Sequence, residues 1–336
     1  MAVNVGINGF GRIGRNVLRA LHAGNHTDEL RVVAINDLGD ARTLAHLTQY
    51  DTVHGRFPGT VTADDGMLRI DGHEISMLAQ RDPAQLPWAE LGVELVIEST
   101  GLFTSREQAT AHLQAGAGKV LISAPAGDDV PTIVHGVNEQ MLTAEDRIVS
   151  NASCTTNCIA PLLQVLQRQF GVDHGYMNTV HAYTNGQVLI DGYHADLRRA
   201  RGAGRNMIPT TTGAIRAVEH VLPELAGRLE GFAVRVPTDN VSFVDLTVQV
   251  GRDTDADQIN RLFEQAAAHE LAGILDYTEA ELVSSDYNHN PASATVDAML
   301  TRVLGGRLVK LCAWYDNEWG FSSRMLDTAL TMLRTA

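Results

Sequence analysis

The residues best suited to covalent chemistry lie at positions 150–158, which read SNASCTTNC. The pattern predicts that a strand ends here and that a helix begins near Cys154. A thiol in the first turn of a helix faces free backbone N–H groups and the positive end of the helix dipole, both of which favour the thiolate. We therefore predict that Cys154 is a nucleophile. Cys158, one turn deeper, is more typical of a buried small hydrophobic residue.

Two further side chains could serve such a nucleophile. His181 ends the apolar run TVHAYT at positions 179–184, and a histidine beside a thiol can act as its general base. Arg235 stands alone in the apolar segment AVRVP at positions 233–237, where a cation is costly unless it meets an anion. Arginines also cluster at 198–201 (RRAR), but for Arg198 and Arg201 a solvated or subunit-facing surface is an equally good interpretation.

A second motif predicts a nucleotide site. Positions 9–14 read GFGRIG, a G-x-G-x-x-G sequence between a predicted strand and a predicted helix. Glycines there let the backbone approach a pyrophosphate, which then lies at the N-terminus of the helix. Asp37 ends the next predicted strand, where a carboxylate would accept the adenosine ribose hydroxyls and repel a 2′-phosphate. The motif therefore favours NAD over NADP.

The elements that must position these residues differ between the two halves of the chain. In the first half, predicted strands at 3–7, 31–35, 93–98 and 119–123 alternate with predicted helices, which indicates a parallel, doubly wound sheet. Two turn signals, at 64–66 and 71–72, flank residues 67–70 and predict an antiparallel ribbon.

After Cys154, the pattern predicts a helix that runs to Phe170 and is kinked at Pro161. Longer predicted strands follow at 175–184, 231–236, 241–250 and 308–315. Apolar residues alternate with polar ones along 244–250, as in a sheet with one covered face. The stretch 185–209 has little periodicity, and loops of that length are usually functional or interfacial.

Composition excludes several classes of protein. The 336 residues are 44% hydrophobic, 20% charged and 5% aromatic, which is typical of a globular chain of about two domains. A net charge of −14 argues against a nucleic-acid partner and against an anionic membrane surface. No run of 18 apolar residues or secretory leader is evident, so we expect a cytoplasmic protein. Three cysteines do not make a disulfide framework, and no spacing predicts a metal site.

Taken together, the motifs resemble those of phosphorylating glyceraldehyde-3-phosphate dehydrogenase over essentially the whole chain. Besides SNASCTTNC, the shared segments are INGFGRIGR (7–15), AINDL (34–38), STGLF (99–103), HAYTN (181–185), DLRRAR (196–201), IPTTTGA (208–214) and WYDNEWGFSSR (314–324). The cysteine motif together with the closing WYDNEWG is nearly diagnostic of this family. The resemblance implies a Rossmann-type doubly wound sheet at 1–153, completed by a helix at 318–336, and an α+β catalytic domain with a mostly antiparallel sheet at 154–317.

The family also implies a reaction and a role for each matching residue. Cys154 would add to the aldehyde of glyceraldehyde 3-phosphate with His181 as base, NAD would take the hydride, and inorganic phosphate would cleave the thioester in a glycolytic reaction. A homotetramer is implied as well, with the 185–209 loop packed against a neighbouring subunit. The implied cofactor-binding residues are Gly9, Phe10, Gly11, Arg12, Ile13, Gly14, Asp37, Arg81, Ser123, Tyr315 and Asn317. Those implied for the two phosphates are Ser153, Thr155, Thr184, Arg199, Thr212, Gly213 and Arg235.

Some positions depart from the family pattern and leave alternatives open. Gly186 follows HAYTN, where the family usually has Asp or Ser, and Gly192-Tyr193 stands where many NAD-specific members have Leu-Pro. Several C-terminal segments also resemble erythrose-4-phosphate dehydrogenase, which hydrolyses its thioester with water. That enzyme is the first alternative, and a non-catalytic NAD-binding module is the second. Retention of Cys154 and His181 argues against the second.

Overall fold

The computed structural model describes residues 2–24, 26–64 and 66–335. The chain divides into two compact units. The first comprises Met1–Ile133, Glu139–Ala152 and Ser322–Ala336, and the second comprises Val134–Asn138 and Ser153–Phe321. The domain boundaries given above stay a prediction. Residues 1, 25, 65 and 336 lie outside the described residues, and so do one residue of the predicted 64–66 turn and the last position of the predicted C-terminal helix.

The first unit alternates strands and helices as the sequence pattern predicts. Its strands are β1 (Val3–Asn8), β2 (Leu30–Asn36), β3 (Tyr50–Asp51), β4 (Gly55–Arg56), β5 (Val61–Asp64), β6 (Met67–Ile70), β7 (His73–Leu78), β8 (Leu95–Glu98), β9 (Lys119–Ile122) and β10 (Ile148–Ser150). Its helices are α1 (Arg12–Ala23), α2 (Ala41–Gln49) and α3 (Arg106–Gln114). The apolar residues that repeat at helical spacing along α1 face the core as predicted, because Val17, Leu18 and Leu21 are all buried.

The main sheet of this unit has the strand order β10-β9-β8-β1-β2-β7-β6-β5. From β10 to β7 all neighbours are parallel, while β5, β6 and β7 pair antiparallel. Counted along the chain, the six parallel strands follow the order typical of dinucleotide-binding folds, with β1 beside the point where the order reverses. The predicted parallel sheet and antiparallel ribbon are both present.

The second unit is built on a longer sheet. Its helices are α4 (Cys154–Phe170), α5 (Ala214–Val221) and α6 (Ala256–Ala268), and helix α7 (Trp319–Arg334) begins in this unit and ends in the first. Its strands are β11 (Val172–Ala182), β12 (Ile208–Thr210), β13 (Leu229–Val236), β14 (Ser242–Val250), β15 (Leu275–Thr278), β16 (Ala294–Asp297), β17 (Arg302–Leu304) and β18 (Leu308–Tyr315). Helix α4 continues through Pro161 as a single element.

The sheet of the second unit is mostly antiparallel. Its order is β12-β13-β11-β14-β18-β16-β15, with β17 paired to β18, and only the pairs β11–β13 and β15–β16 are parallel. Burial alternates along β14, so Val244, Leu246 and Val248 are fully covered while their neighbours are partly exposed. This confirms the predicted sheet with one covered face. Among the described residues, no helix has the length and apolarity needed to cross a membrane.

Candidate active site

Cys154 is the first residue of α4, as its position in the motif predicts. Ser153 caps this helix, because its hydroxyl accepts a hydrogen bond of 3.1 Å from the N–H of Thr156. Ala152, just before the cap, has a φ of 58°, in the left-handed region that non-glycine residues seldom adopt. Such strained backbone is typical of functional sites, where the surrounding structure fixes an otherwise unfavourable conformation.

The sulfur of Cys154 faces the base that the sequence predicts for it. Sγ lies 3.4 Å from Nε2 of His181, at the end of β11. Nδ1 of the same ring lies 2.7 Å from the carbonyl oxygen of Ala182. The carbonyl can only accept, so this contact favours a proton on Nδ1. Nη1 of Arg235, 2.6 Å from the same nitrogen, can only donate and favours the opposite tautomer. In the tautomer with its proton on Nδ1, the Nε2 lone pair points at the thiol, as a general base requires.

Arg235 lies on the other side of the imidazole. Its Nη1 is 2.6 Å from Nδ1 of His181 and donates to Ala182 O at 2.9 Å. Strands β13 and β11 pair in parallel with His181 opposite Arg235, which explains why the two side chains meet. Its Nε is buried and has no hydrogen-bond partner among residues 2–24, 26–64 and 66–335.

The protonation states differ from the sequence-based prediction at Cys154. Burial raises the pKa of the thiol above its ordinary value, although Arg235 and hydrogen bonds with Thr155 act in the opposite direction. The expectation that the helix start favours the thiolate is therefore wrong as a net effect, because desolvation disfavours the charged form more strongly. Burial, with a smaller contribution from Arg235, lowers the pKa of His181 to about 3, so the imidazole is neutral at physiological pH.

The side chain of Tyr315 packs against His181. Its hydroxyl is 2.8 Å from Oγ1 of Thr155 and 2.9 Å from Oγ1 of Thr179, and its ring packs edge-on against His181. The hydroxyl groups of Tyr315 and Thr155 are thus already engaged with each other. Tyr315 was assigned to the cofactor by resemblance, and the second unit places it against the base.

A chain of hydrogen bonds leads from β11 to Asn317. The N–H of Ala182 donates to Oγ of Ser242 at 3.1 Å, and that hydroxyl donates to Oδ1 of Asn317 at 2.7 Å. This arrangement fixes the amide plane of Asn317 and directs its NH₂ group away from Ser242. No sequence motif singled out Ser242, which lies 75 residues from its partner.

The remaining residues assigned to the phosphates all lie in the second unit. Arg199 donates from Nε to Oγ1 of Thr210 at 2.7 Å. Burial is the main cause that lowers the pKa of Arg235, and like-charge repulsion from the nearby Arg199 adds to it. Gly213 precedes α5 as its N-cap, and a Cβ added there would meet open space. The hydroxyl of Thr212 accepts from the N–H of Ala214 at 3.2 Å, and that of Thr184 accepts from the N–H of Gly186 at 3.3 Å.

The glycine motif of the first unit forms the turn between β1 and α1. Gly9 has a φ of 88°, and a Cβ there would lie 2.6 Å from the N atom of Thr100. A Cβ on Gly14 would clash with the carbonyl oxygen of Gly9, so both positions require glycine. Gly11 differs, because a Cβ there would meet nothing within 4 Å. The open space beside Gly11 is what a bound pyrophosphate needs.

Asp37 is held beside this turn. Its carboxylate accepts from the N–H of Phe10 and from the N–H of Gly39, both at 2.8 Å. Both oxygens therefore have a fixed position at the end of β2. Arg12 does not face this carboxylate, since it forms a paired hydrogen bond of 2.5 and 3.2 Å with Asp51. Although burial opposes the ionisation of Asp51, this contact helps to lower its pKa to about 2.

Three other predicted residues occupy less distinctive positions in the first unit. The N–H of Ser123 donates to Glu98 O at 2.9 Å and thereby continues the ladder beyond β9. Arg81 is exposed in the loop after β7, and Ile13 is partly buried in the first turn of α1.

The cysteines other than Cys154 are inert by position. Cys158 is fully buried, and burial raises its pKa well above the ordinary value. Cys312 is also buried, with a pKa raised to about 11. All three cysteines are free, and the full burial of Cys158 confirms its interpretation as a buried small residue.

The chain is similar over almost its whole length to curated glyceraldehyde-3-phosphate dehydrogenases. The chain is 62% identical over 333 residues to the plasmid-encoded glyceraldehyde-3-phosphate dehydrogenase of Cupriavidus necator, a match that covers 99% of each chain. The chain belongs to the glyceraldehyde-3-phosphate dehydrogenase family. It is also 62% identical to the enzyme of that name from Pseudomonas aeruginosa, over 99% of this chain and 98% of the relative. For glyceraldehyde-3-phosphate dehydrogenase 1 of Bacillus cereus the identity is 55%, over 98% of both chains.

Two models of this family match separate parts of the chain. Residues 3–106 match the model described as glyceraldehyde 3-phosphate dehydrogenase, NAD binding domain, and residues 153–317 match the one described as the C-terminal domain. The family resemblance stated from the motifs is confirmed. So is the fold class, because the doubly wound sheet lies in the first unit and the mostly antiparallel sheet in the second.

Proposed function

We propose that this protein is an NAD-dependent, phosphorylating glyceraldehyde-3-phosphate dehydrogenase. The observation that carries the proposal is the pair formed by Cys154 Sγ and His181 Nε2 at 3.4 Å, at the N-terminus of a helix. It occurs in a chain with 62% identity to enzymes that bear this name. A non-catalytic nucleotide-binding module would have no use for that pair.

The two side chains begin in their neutral forms, and the reaction uses both. His181 Nε2 takes the thiol proton, and the thiolate then adds to the aldehyde carbon to give a thiohemiacetal. The positive charge of Arg235 stabilises the thiolate as it forms. The backbone N–H of Cys154, at the helix N-terminus, can donate to the oxyanion. His181 returns its proton to the oxyanion, which gives the hydroxyl of the thiohemiacetal, and then removes that hydroxyl proton again. With the hydride of the same carbon passed to a bound NAD, a thioester on Cys154 would remain.

The cofactor supplies the hydride acceptor, and the first unit is suited to hold it. The open space beside Gly11 accommodates a pyrophosphate, and the fixed carboxylate of Asp37 accepts ribose hydroxyls and disfavours a 2′-phosphate. We assign Phe10, Arg12, Ile13, Arg81 and Ser123 to the same cofactor by family resemblance. Asn317, whose amide plane Ser242 fixes, is assigned to the nicotinamide amide together with Tyr315.

The second unit supplies cations for two phosphate groups. Arg235 has a buried Nε without a hydrogen-bond partner in the described part of the chain, and Arg199 lies near it. We assign Arg235 and Thr184 to the substrate's own phosphate. Attacking inorganic phosphate is assigned to Arg199 and to four further residues, namely Ser153, Thr155, Thr212 and Gly213.

Domain roles, assembly and compartment complete the proposal. The first unit would be the NAD-binding domain and the second the catalytic domain. A homotetramer accounts for the apolar side chains that the 185–209 loop exposes, of which Leu189, Tyr193 and Leu197 are more than four-fifths exposed in the single chain. Three free cysteines suit the reducing cytoplasm, where the glycolytic reaction would occur.

Initial rates would test the proposal. Glyceraldehyde 3-phosphate and erythrose 4-phosphate are compared with NAD or NADP, each with and without inorganic phosphate. Phosphate-dependent turnover of the triose with NAD is the expected result. Faster turnover of the tetrose without phosphate would instead assign the protein to the erythrose-4-phosphate branch. Absence of turnover with either aldehyde would leave only the NAD-binding alternative.

A further inference from the structure

We propose that Glu98 is a positioning residue for the nucleotide-binding turn, acting through a buried network of hydrogen bonds at the carboxyl ends of three parallel strands. The proposal rests on the assignment of the Gly9–Gly14 turn to NAD. Glu98 itself would not touch the cofactor. It would hold the neighbouring loops in the arrangement that leaves room for a pyrophosphate.

The carboxylate of Glu98 is 1% exposed and is held by hydrogen bonds on both oxygens. Oε1 accepts from the N–H of Thr100 at 2.8 Å and from its hydroxyl at 2.5 Å. Oε2 accepts from Nδ2 of Asn8 at 2.6 Å and lies 2.9 Å from Nε2 of His112. The four donors satisfy both oxygens of this buried carboxylate.

The tautomer of His112 is fixed by its other neighbour. The indole N–H of Trp88 lies 3.0 Å from Nδ1 of His112, and an indole nitrogen can only donate. Nδ1 is therefore the acceptor, and the proton of the neutral ring resides on Nε2, from which it is donated to Glu98. His112 is thus a neutral donor rather than a counter-ion. Among the described residues, no lysine or arginine contacts this carboxylate.

The network joins the ends of strands that lead into the proposed nucleotide site. Asn8 ends β1, Asn36 ends β2 and Glu98 ends β8. Nδ2 of Asn36 donates to Oδ1 of Asn8 at 2.7 Å, so a continuous chain of hydrogen bonds crosses all three strands. The turn at Gly9, Asp37 and the loop at Thr100 each follow one of these strand ends directly.

The β8 end is in close contact with the glycine turn. Oγ of Ser99 donates to Gly9 O at 3.0 Å, and the backbone of Thr100 fills the space where a Gly9 side chain would be. Any shift of Thr100 would therefore be transmitted to Gly9. Because Glu98 holds both the N–H and the hydroxyl of Thr100, it determines the position of the residue against which the turn packs.

The isosteric change Glu98→Gln tests this role. It replaces one acceptor oxygen by an NH₂ group that would face the donors on Asn8 and His112, or else on Thr100, so at least one buried donor loses its partner. We expect NAD binding, measured by isothermal titration calorimetry on the full chain, to weaken at least about tenfold. The rate at which iodoacetamide alkylates Cys154 in the absence of NAD should stay the same, because the second unit is unaffected.

Two controls separate positioning from loss of stability and from a wrong nucleotide site. Val120→Ala, in the core of the same sheet, removes buried methyl groups without touching the network. Its NAD affinity should stay within about twofold of the parent at a comparable loss of thermal stability. Gly11→Val fills the open space and should abolish NAD binding.

The outcomes are distinguishable. Equal losses of affinity in Glu98→Gln and Val120→Ala would overturn the inference while leaving the nucleotide site intact. Unchanged NAD binding by Gly11→Val would overturn the site assignment itself. Should Glu98→Gln fail to fold, the partly exposed Thr100→Val removes one of the four donors. It should weaken NAD binding about threefold or more, whereas an unchanged affinity would contradict the inference.

Discussion

Replacing Arg235 with methionine removes the positive charge that faces Cys154, and we expect the thiol to become markedly less acidic. The hydrogen-bond distances on either side of the His181 ring place the guanidinium within ~8 Å of Sγ. At that separation a unit charge contributes roughly 2 kcal/mol in a medium of effective dielectric constant about 20. The pKa of Cys154 should therefore rise further, and the thiolate fraction at neutral pH should fall about 30-fold.

The assay is the second-order rate of Cys154 alkylation as a function of pH. Iodoacetamide is the reagent, because it is uncharged and Arg235 cannot attract it electrostatically. For the parent protein, the rate should rise in the alkaline range, because burial raises the pKa of the Cys154 thiol above its ordinary value. It should show no inflection from His181, whose pKa is about 3. For Arg235→Met the whole curve should move to higher pH, with equal rates where both thiols are fully ionised.

Arg235→Lys is the matched control, since it keeps the charge and should restore most of the acidity. Loss of Arg235 also relieves His181 of a neighbouring cation, but burial is the larger cause of its low pKa, so the imidazole should stay neutral. An Arg235→Met profile that coincides with the parent, or that moves to lower pH, would refute the view that this guanidinium stabilises the thiolate.

Three other changes give independent predictions. Cys154→Ser should abolish aldehyde oxidation while calorimetric NAD binding stays within about twofold, because the nucleophile lies in the second unit; retained turnover would contradict the assignment of the nucleophile. Asp37→Asn keeps an oxygen that can accept the hydrogen bond from the N–H of Phe10 but removes the negative charge. The preference for NAD over NADP in kcat/KM should therefore fall about tenfold. An unchanged ratio would show that the carboxylate does not set selectivity. Asp51→Asn should make the free energy of unfolding depend less on pH in the acid range. The pKa of Asp51 is lowered to about 2, and its ionised pair with Arg12 is lost as the pH falls towards that value. The pair stabilises the fold fully only above the pKa of an unfolded aspartate, so urea unfolding at pH 6 and pH 3 should differ by about 1 kcal/mol more in the parent than in the variant. Equal pH dependence in the two proteins would argue against that contribution.

Local sequence signals predicted the elements that carry the site. The helical spacing of apolar residues predicted α1, and the alternation of apolar and polar residues predicted β14. Turn residues predicted the antiparallel ribbon that contains β6. Each of these features depends on residues close together in the sequence, so the sequence alone can predict it. The position of Cys154 at the first turn of α4 was predictable for the same reason. The helix predicted to run past Pro161 to Phe170 is also present as a single element, although a proline inside a helix is locally unfavourable.

Properties that depend on burial or on distant residues could not be predicted in this way. The helix start at Cys154 suggests a more acidic thiol, but the net shift of its pKa depends on desolvation, which only the folded chain reveals. The contact of Ser242 with Asn317 and the bonds that join Asn8, His112 and Glu98 span up to 104 residues, with no motif to mark them. Arg235 was the exception, because a lone cation within an apolar strand is visible in the sequence itself.

The central claim is that Cys154 carries the substrate as a thioester during turnover. The most direct measurement mixes the protein with glyceraldehyde 3-phosphate and NAD in the absence of inorganic phosphate, quenches the reaction in acid and identifies the acylated peptide by mass spectrometry. We expect an acyl adduct on Cys154 alone, which added phosphate discharges with release of an acyl phosphate. NADH formation without an adduct on Cys154, or an adduct on Cys158 instead, would contradict the account.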